Sequence, residues 1–192
     1  MFIAGLITAC WSNGVTRQDP SDCMASEASE DPEAKSIRMH SSQASSKAKE
    51  LNADALLRLV LVDPRKDLNE ITYLYTDDAP DYRPVIEVRW SEDGFSRSSN
   101  STLTPSSVPE ALIIENLAMG PGKARNLLNE RFPGVQIRIM TLIQVDCRLF
   151  WDIQALHGEA PVQQVRARVS SVDGSIEFPH GTPGPLPTLF PR

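Results

Sequence analysis

Histidine and cysteine are scarce in this 192-residue chain, at three each. His40, His157 and His180 lie far apart, and neither a His-Glu-x-x-His nor a Cys-x-x-Cys occurs. Zinc therefore has no recognisable ligand set. Serine is plentiful, yet no Gly-x-Ser-x-Gly accompanies it, so the common nucleophile elbow is missing. Base is not in excess either: 19 Lys and Arg face 25 Asp and Glu, for a net charge of −6. With a pI near 5.1, the chain has no global positive field for nucleic acid. No run approaches the roughly 18 apolar residues that would span a bilayer. The longest run after the N-terminus, 55–62, is interrupted by Arg58 and ends at Asp63-Pro64. These absences argue against an enzyme, a cofactor, a nucleic-acid partner and a spanning helix.

Two short motifs that suggest chemistry are incomplete. Gly120-Pro-Gly-Lys123 has the wrong spacing for a phosphate loop, and Ala124 stands where a Ser or Thr would hold magnesium. It reads as the start of a helix. Asp77, Asp78 and Asp81 offer the oxygen ligands calcium favours, but without EF-hand spacing. Their composition is that of a hairpin loop.

What is present begins at the N-terminus. Residues 1–10 run from apolar through small side chains to Cys10, and polar sequence follows at once. Leu6-Ile-Thr-Ala-Cys10 resembles the lipobox of bacterial lipoprotein precursors. The resemblance implies that Cys10 carries the lipid and that residues 1–10 are the end of a signal segment. A secretory signal also has a basic n-region. No Lys or Arg precedes Cys10, so the expectation is a true start further upstream. The implied partner is a membrane, through a multiply acylated anchor that binds stably where a single chain would not. The implied location is the periplasm-facing cell envelope, at the outer membrane. Cys23 and Cys147 remain. In an exported protein they are a candidate disulfide, while Cys147 also reads as a small apolar residue near a strand end.

Residues 11–45 are rich in Ser, Ala, Asp and Glu without apolar periodicity, which predicts a polar tether. A short helix around 30–39 is compatible with Ser29 as cap and Pro32 in a first turn. Leu51, Ala55, Leu59 and Val62 recur at helical spacing before Pro64, which predicts a core helix. The period then becomes two: Ile71, Tyr73 and Tyr75 share one face of a strand, and Ile86, Val88 and Trp90 one face of the next. Asp93-Gly94 signals a hairpin, followed by a polar edge strand over 95–104. A second helix runs from Gly120 to Phe132 with Ala124, Leu127 and Leu128 as its stripe. Strands are expected over 135–145, 148–156, 162–172 and 175–178. The stretch 111–114 fits strand or helix. Residues 179–192 hold five prolines and form an extended tail.

The order helix–strand–strand occurs twice. The expected fold is α+β, an antiparallel sheet packed against helices, in two related units: 46–104 and 105–178. Gly120-Pro-Gly-Lys-Ala-Arg-Asn-Leu-Leu128, Phe132-Pro-Gly134, Leu149-Phe-Trp-Asp-Ile-Gln154, Val165-Arg-Ala-Arg-Val169 and Val172-Asp-Gly-Ser-Ile176 make residues 119–178 resemble a PepSY domain. The resemblance implies a small non-catalytic module associated with binding or inhibiting other envelope proteins, peptidases included. Gly120 and Gly122 depart from the family's polar cap and acidic first turn.

If Ile137, Ile139, Trp151, Ile153, Val165, Ala167 and Val169 point inward, the opposite face carries Arg138, Met140, Leu142, Phe150, Asp152, Arg166 and Arg168. Met140, Leu142 and Phe150 are too apolar for a solvated surface. Either the first half of the chain or a partner must cover them. The expected function is therefore a non-catalytic, envelope-tethered module that binds or inhibits another exported protein. An immunity-type lipoprotein against a periplasmic toxin or hydrolase is an alternative, as is a structural or accessory lipoprotein.

Overall fold

The computed structural model describes residues 31–64, 70–78, 83–103, 108–158 and 163–179. Helix α1 (Pro32–Lys49) leads into strands β1 (Leu56–Val62), β2 (Glu70–Thr76), β3 (Arg83–Ser91) and β4 (Gly94–Leu103). After a 3-10 turn at Ile114–Asn116, helix α2 (Pro121–Arg131) leads into β5 (Gln136–Val145), β6 (Arg148–His157), β7 (Gln163–Ser170) and the short β8 (Ile176–Glu177). All eight strands form one antiparallel sheet in the order β4-β3-β2-β1-β5-β6-β7-β8. Each helix thus precedes a four-stranded meander, and the meanders join where β1 pairs with β5.

This corrects the expected fold class. The protein is sheet-dominated, with two α-helices among the described residues, and not a pair of PepSY-like α+β units. The strands of 119–178 do not close into a unit of their own, because β1 continues their sheet through β5.

The apolar run 55–62 is a strand, not a helix. At the centre of the sheet β1 is buried on both faces, so it needs the near-continuous apolar sequence Leu-Leu-Arg-Leu-Val-Leu-Val. A short apolar run of this kind does not reveal its period. The first helix lies earlier, starting in the short helix expected around 30–39 and running ten residues beyond it, to Lys49. Asp31 caps it, its carboxylate accepting from the Glu33 and Ala34 N–H groups at 3.0 Å each. Pro32 occupies the first turn, and Lys47 and Lys49 the last.

The buried face of α1 is made of Ala34, Ile37, His40, Ser41, Ala44 and Ala48. These mostly small side chains give little apolar periodicity, but they let the backbone approach the sheet closely. Tyr73 donates its hydroxyl to the Ile37 carbonyl at 3.2 Å and Tyr75 to that of Ser41 at 3.4 Å. Burial raises both phenol pKa values, Tyr73 further through its neighbour Tyr75. His40 stacks on Trp90 at 4.0 Å and meets Phe95 edge-on at 6.3 Å.

Helix α2 lacks a capping side chain of its own. Glu33 of α1 supplies one, accepting from the Gly122 N–H at 2.6 Å. The glycines of Gly-Pro-Gly are required by that contact. A Cβ on Gly120 would collide with Glu33 Cβ, and one on Gly122 would sit 2.5 Å from Glu33 Oε1. Beside the helix, the Met119 carbonyl accepts from the buried Trp151 indole at 2.8 Å.

Candidate functional site

Both helices contribute to one large core with Val60, Val62, Tyr73, Ile86, Met140, Leu142, Trp151, Ile153 and Val169. A second, smaller cluster holds only strand residues: Leu59, Leu74, Val85, Ile143 and Phe150, flanked by Leu61 and Val145. These side chains alternate with those of the large core, so they occupy the opposite face, which is helix-free among the described residues.

The seven residues expected to share one face are divided between the two. Met140 and Leu142 are 1% and 0% exposed within the helix-covered core. Phe150, Asp152, Arg166 and Arg168 stand on the helix-free face. The physical cause is a β-bulge. Ile137 pairs with Ala155 and Ile139 with Gln154, leaving Arg138 as the extra residue. One extra residue reverses the alternation beyond it. Inward-pointing Ile137 is therefore followed by inward-pointing Met140 and Leu142, while Ile139 turns to the other face and Arg138 is solvent-exposed. A matching bulge in β1 leaves Arg58 between Leu57 and Leu59. Arg58 is buried, bonded to the Pro109 carbonyl at 3.2 Å and to Asp78 at 2.7 Å. Asp77 accepts from Asn52 at 2.8 Å. These two acids of the 77–81 cluster thus brace the loop; Asp81 lies outside the described residues.

Three arginines organise the polar side of the helix-free face. Asp152, whose side chain is 7% exposed, receives Arg166 through two guanidinium nitrogens, at 3.1 Å (Nε to Oδ1) and 2.8 Å (Nη2 to Oδ2). This fork geometry is the strong form of the pair. Arg168 Nε lies 3.7 Å from Asp152 Oδ1 and makes no hydrogen bond. Arg148 lies over the Phe150 ring at 5.0 Å and forms ion pairs with Glu177 at 3.6 Å and Asp173 at 3.9 Å. The Asp173 carboxyl is held at about 2, first by a hydrogen bond with the Ser170 side chain, then by the Ser175 N–H and hydroxyl, with Arg148 adding to the effect.

The apolar side chains of this face are themselves buried, between 3% (Phe150) and 8% (Leu59) exposed. An apolar strip across β1, β2, β3, β5 and β6 is bordered on one side by Arg148, Asp152, Arg166 and Arg168. Glu70, Glu87 and Arg89 border the other, with Arg89 paired to Glu87 at 2.8 Å and to Glu70 at 3.5 Å. The residues that sequence reasoning missed are Leu59, Leu74, Val85 and Ile143. Ile143 faces Phe150 across the β5–β6 hairpin, whereas Leu59, Leu74 and Val85 join them only once β1 pairs with β5, for which no local pattern exists.

Other expected sites fall elsewhere. Cys10 and Cys23 lie outside the described residues, as do His180 and all of the tail beyond Pro179. Cys147 lies in the β5–β6 turn and is disulfide-bonded. His157 ends β6, opposite Gln163. Among the described residues, no group of three or more His, Cys, Asp or Glu is placed to hold a metal, and no helix is long and apolar enough to cross a membrane.

No family model matches the chain, the PepSY domain included, and no curated protein matches it. Among solved structures it is similar to a Clostridium difficile protein described provisionally as a lipoprotein. The two share 15% identity and a TM-score of 0.46, over 71% of this chain and 88% of that one. The function is accordingly argued from the chain's own residues.

Proposed function

We propose that the protein is a non-catalytic lipoprotein of the cell envelope, anchored through Cys10, that binds another exported protein through its helix-free sheet face. The observation that carries this reading is the makeup of that face. Phe150, Ile143, Leu59 and Leu74 form a buried apolar strip between charged borders, and a partner would meet it through the half-buried Leu61, Val145, Thr72 and Gln154 around it. Apolar centres with polar rims and arginine at the margin are the usual anatomy of protein interfaces. The lipobox-like residues before Cys10 supply the location. Inhibition of the bound protein, as by an immunity-type lipoprotein, is the specific form of binding this face would serve.

Co-purification tests the reading. Full-length protein is recovered from detergent-solubilised membranes, alongside Thr72→Arg and Gln154→Arg variants, which place a bulky cation on the helix-free face. Met39→Arg, on exposed α1, serves as control. A stoichiometric partner retained by wild type and Met39→Arg and lost by the other two is expected. If no partner is recovered, or if all three variants retain it equally, the face is not the binding surface.

A further inference from the structure

Arg168 stands between two carboxylates and fully engages neither. On the helix-free face it lies opposite Asp152 of β6 and Glu177 of β8. Asp152 gives both oxygens to Arg166, Oδ1 at 3.1 Å and Oδ2 at 2.8 Å. Glu177 pairs with Arg148 at 3.6 Å instead of with its cross-strand neighbour. Arg168 keeps only a 3.7 Å approach of Nε to Asp152 Oδ1, an ion pair too long for a hydrogen bond. That Nε is buried without a hydrogen-bond partner. The terminal nitrogens are the part of the guanidinium that solvent reaches, the side chain being 20% exposed, and they make no hydrogen bond among the described residues.

The other arginines at the borders of this face are occupied. Arg166 forks onto Asp152, Arg148 pairs with Glu177 and Asp173, and Arg89 pairs with Glu87 and Glu70. A guanidinium carries five N–H donors in a planar fork. A largely buried one with none of them hydrogen-bonded calls for an acceptor from outside. Arg138, exposed on β5, also has no ion pair among the described residues and adds positive charge two strands away.

We propose that the terminal nitrogens of Arg168 receive a carboxylate of the bound exported protein, an Asp or Glu side chain, in a two-point contact at the β7 border of the helix-free face. The inference rests on the partner reading above and names the chemistry that partner presents. A planar carboxylate matches the guanidinium fork. Its single charge also suits the position. Asp152 lies 3.7 Å from Nε and Glu177 directly across the strand pair, so a doubly charged phosphate would meet two anions for one cation. The side chain is already held between neighbouring strands, so little of its freedom is lost on binding. A contact of this kind at the border of an apolar strip fixes which partner binds and in what register.

Two measurements on the full chain test it. In the first, the guanidinium carbon resonances are followed by NMR as sodium acetate, the carboxylate probe, replaces sodium chloride at constant ionic strength. Arg168 should shift saturably with acetate, while Arg89 and Arg166, already paired, should not move. An Arg168 resonance that stays in place, or that responds equally to added chloride, overturns the proposal. In the second, a photoreactive residue at Thr72, on β2 and four strands from β7, traps the partner in intact envelopes. Arg168→Lys keeps the charge and loses the fork, and the adduct yield should fall about tenfold, the worth of one charged hydrogen bond. Thermal melts establish that this variant is folded, and the acetate measurement on wild type does not depend on it. Equal yields from wild type and Arg168→Lys overturn the carboxylate contact and leave the face reading standing. No adduct from wild type removes the face reading and this proposal with it.

Discussion

The Glu33 carboxylate of α1 accepts a hydrogen bond from the Gly122 N–H of α2 at 2.6 Å, so one helix provides the N-terminal cap of the other. The relationship requires glycine at two positions for different reasons. At Gly122 an added methyl would meet the far end of a flexible side chain, which can swing away at the loss of the cap. At Gly120 it would meet Glu33 Cβ, which is fixed to the helix backbone. Gly120→Ala should therefore be the more destabilising, by about 2–3 kcal/mol, as for other overpacked sites. Gly122→Ala should cost about 1 kcal/mol, the value of a lost cap. In a Glu33→Ala background Gly122→Ala should become nearly neutral. Urea denaturation of the four proteins measures the coupling, and strict additivity would contradict it.

These contacts also show why much of the fold was hidden. The period-two strands 70–76 and 83–91, the Asp93-Gly94 turn and the second helix were legible because each is written in local alternation, turn chemistry or an apolar stripe. Helix α1 was legible only in its first half, from Pro32; the rest was hidden because its docking face is Ala, Ser and His. Its fit depends on tyrosine hydroxyls from β2. The composition of β1 reflects burial on both faces of a sheet that extends beyond the local window. The candidate face was half legible: the bulge at Arg138 moved Met140 and Leu142 to the core, and nothing in the sequence marks where a strand takes an extra residue.

The seating of α1 can be tested directly. Ala44 is fully buried between helix and sheet, and Ala44→Leu should destabilise by about 1–3 kcal/mol through overpacking. Tyr73→Phe and Tyr75→Phe each leave a helix carbonyl without its hydroxyl donor. Each should cost about 1 kcal/mol, the typical worth of one hydrogen bond. Equal stability for all three variants would mean that α1 does not dock as described.

The Asp152 cluster should respond asymmetrically. Asp152→Ala removes the anion between two arginines and should cost about 3 kcal/mol, as expected for breaking a largely buried pair. Arg166→Ala leaves Arg168 within 3.7 Å of the carboxylate and should cost less, about 1–2 kcal/mol. Chemical denaturation of the two variants gives the order.

His40 ties stability to pH. Burial lowers its pKa below the ordinary imidazole value of about 6.5, so the unfolded chain binds the proton more readily than the native one. Its contribution is complete above about pH 6.5 and is lost as pH falls below that value. His40→Gln should flatten the stability profile between pH 7 and 5. Asp173 acts at lower pH: held at about 2 against 3.8, it contributes fully above about pH 4 and loses that contribution as pH falls through 2. Its effect is small because the side chain is 59% exposed and screened. Thermal melts of wild type and His40→Gln across pH 7 to 5 check the main effect; parallel curves would contradict it.

Photo-crosslinking in intact envelopes tests partner binding through the helix-free face most directly. A photoreactive residue at Thr72 or Gln154, on that face, should trap one discrete partner protein. The same residue at Met39, on the exposed side of α1, should not. Trapping only from Met39, or none from any position, would contradict the assignment of the helix-free face as the binding surface.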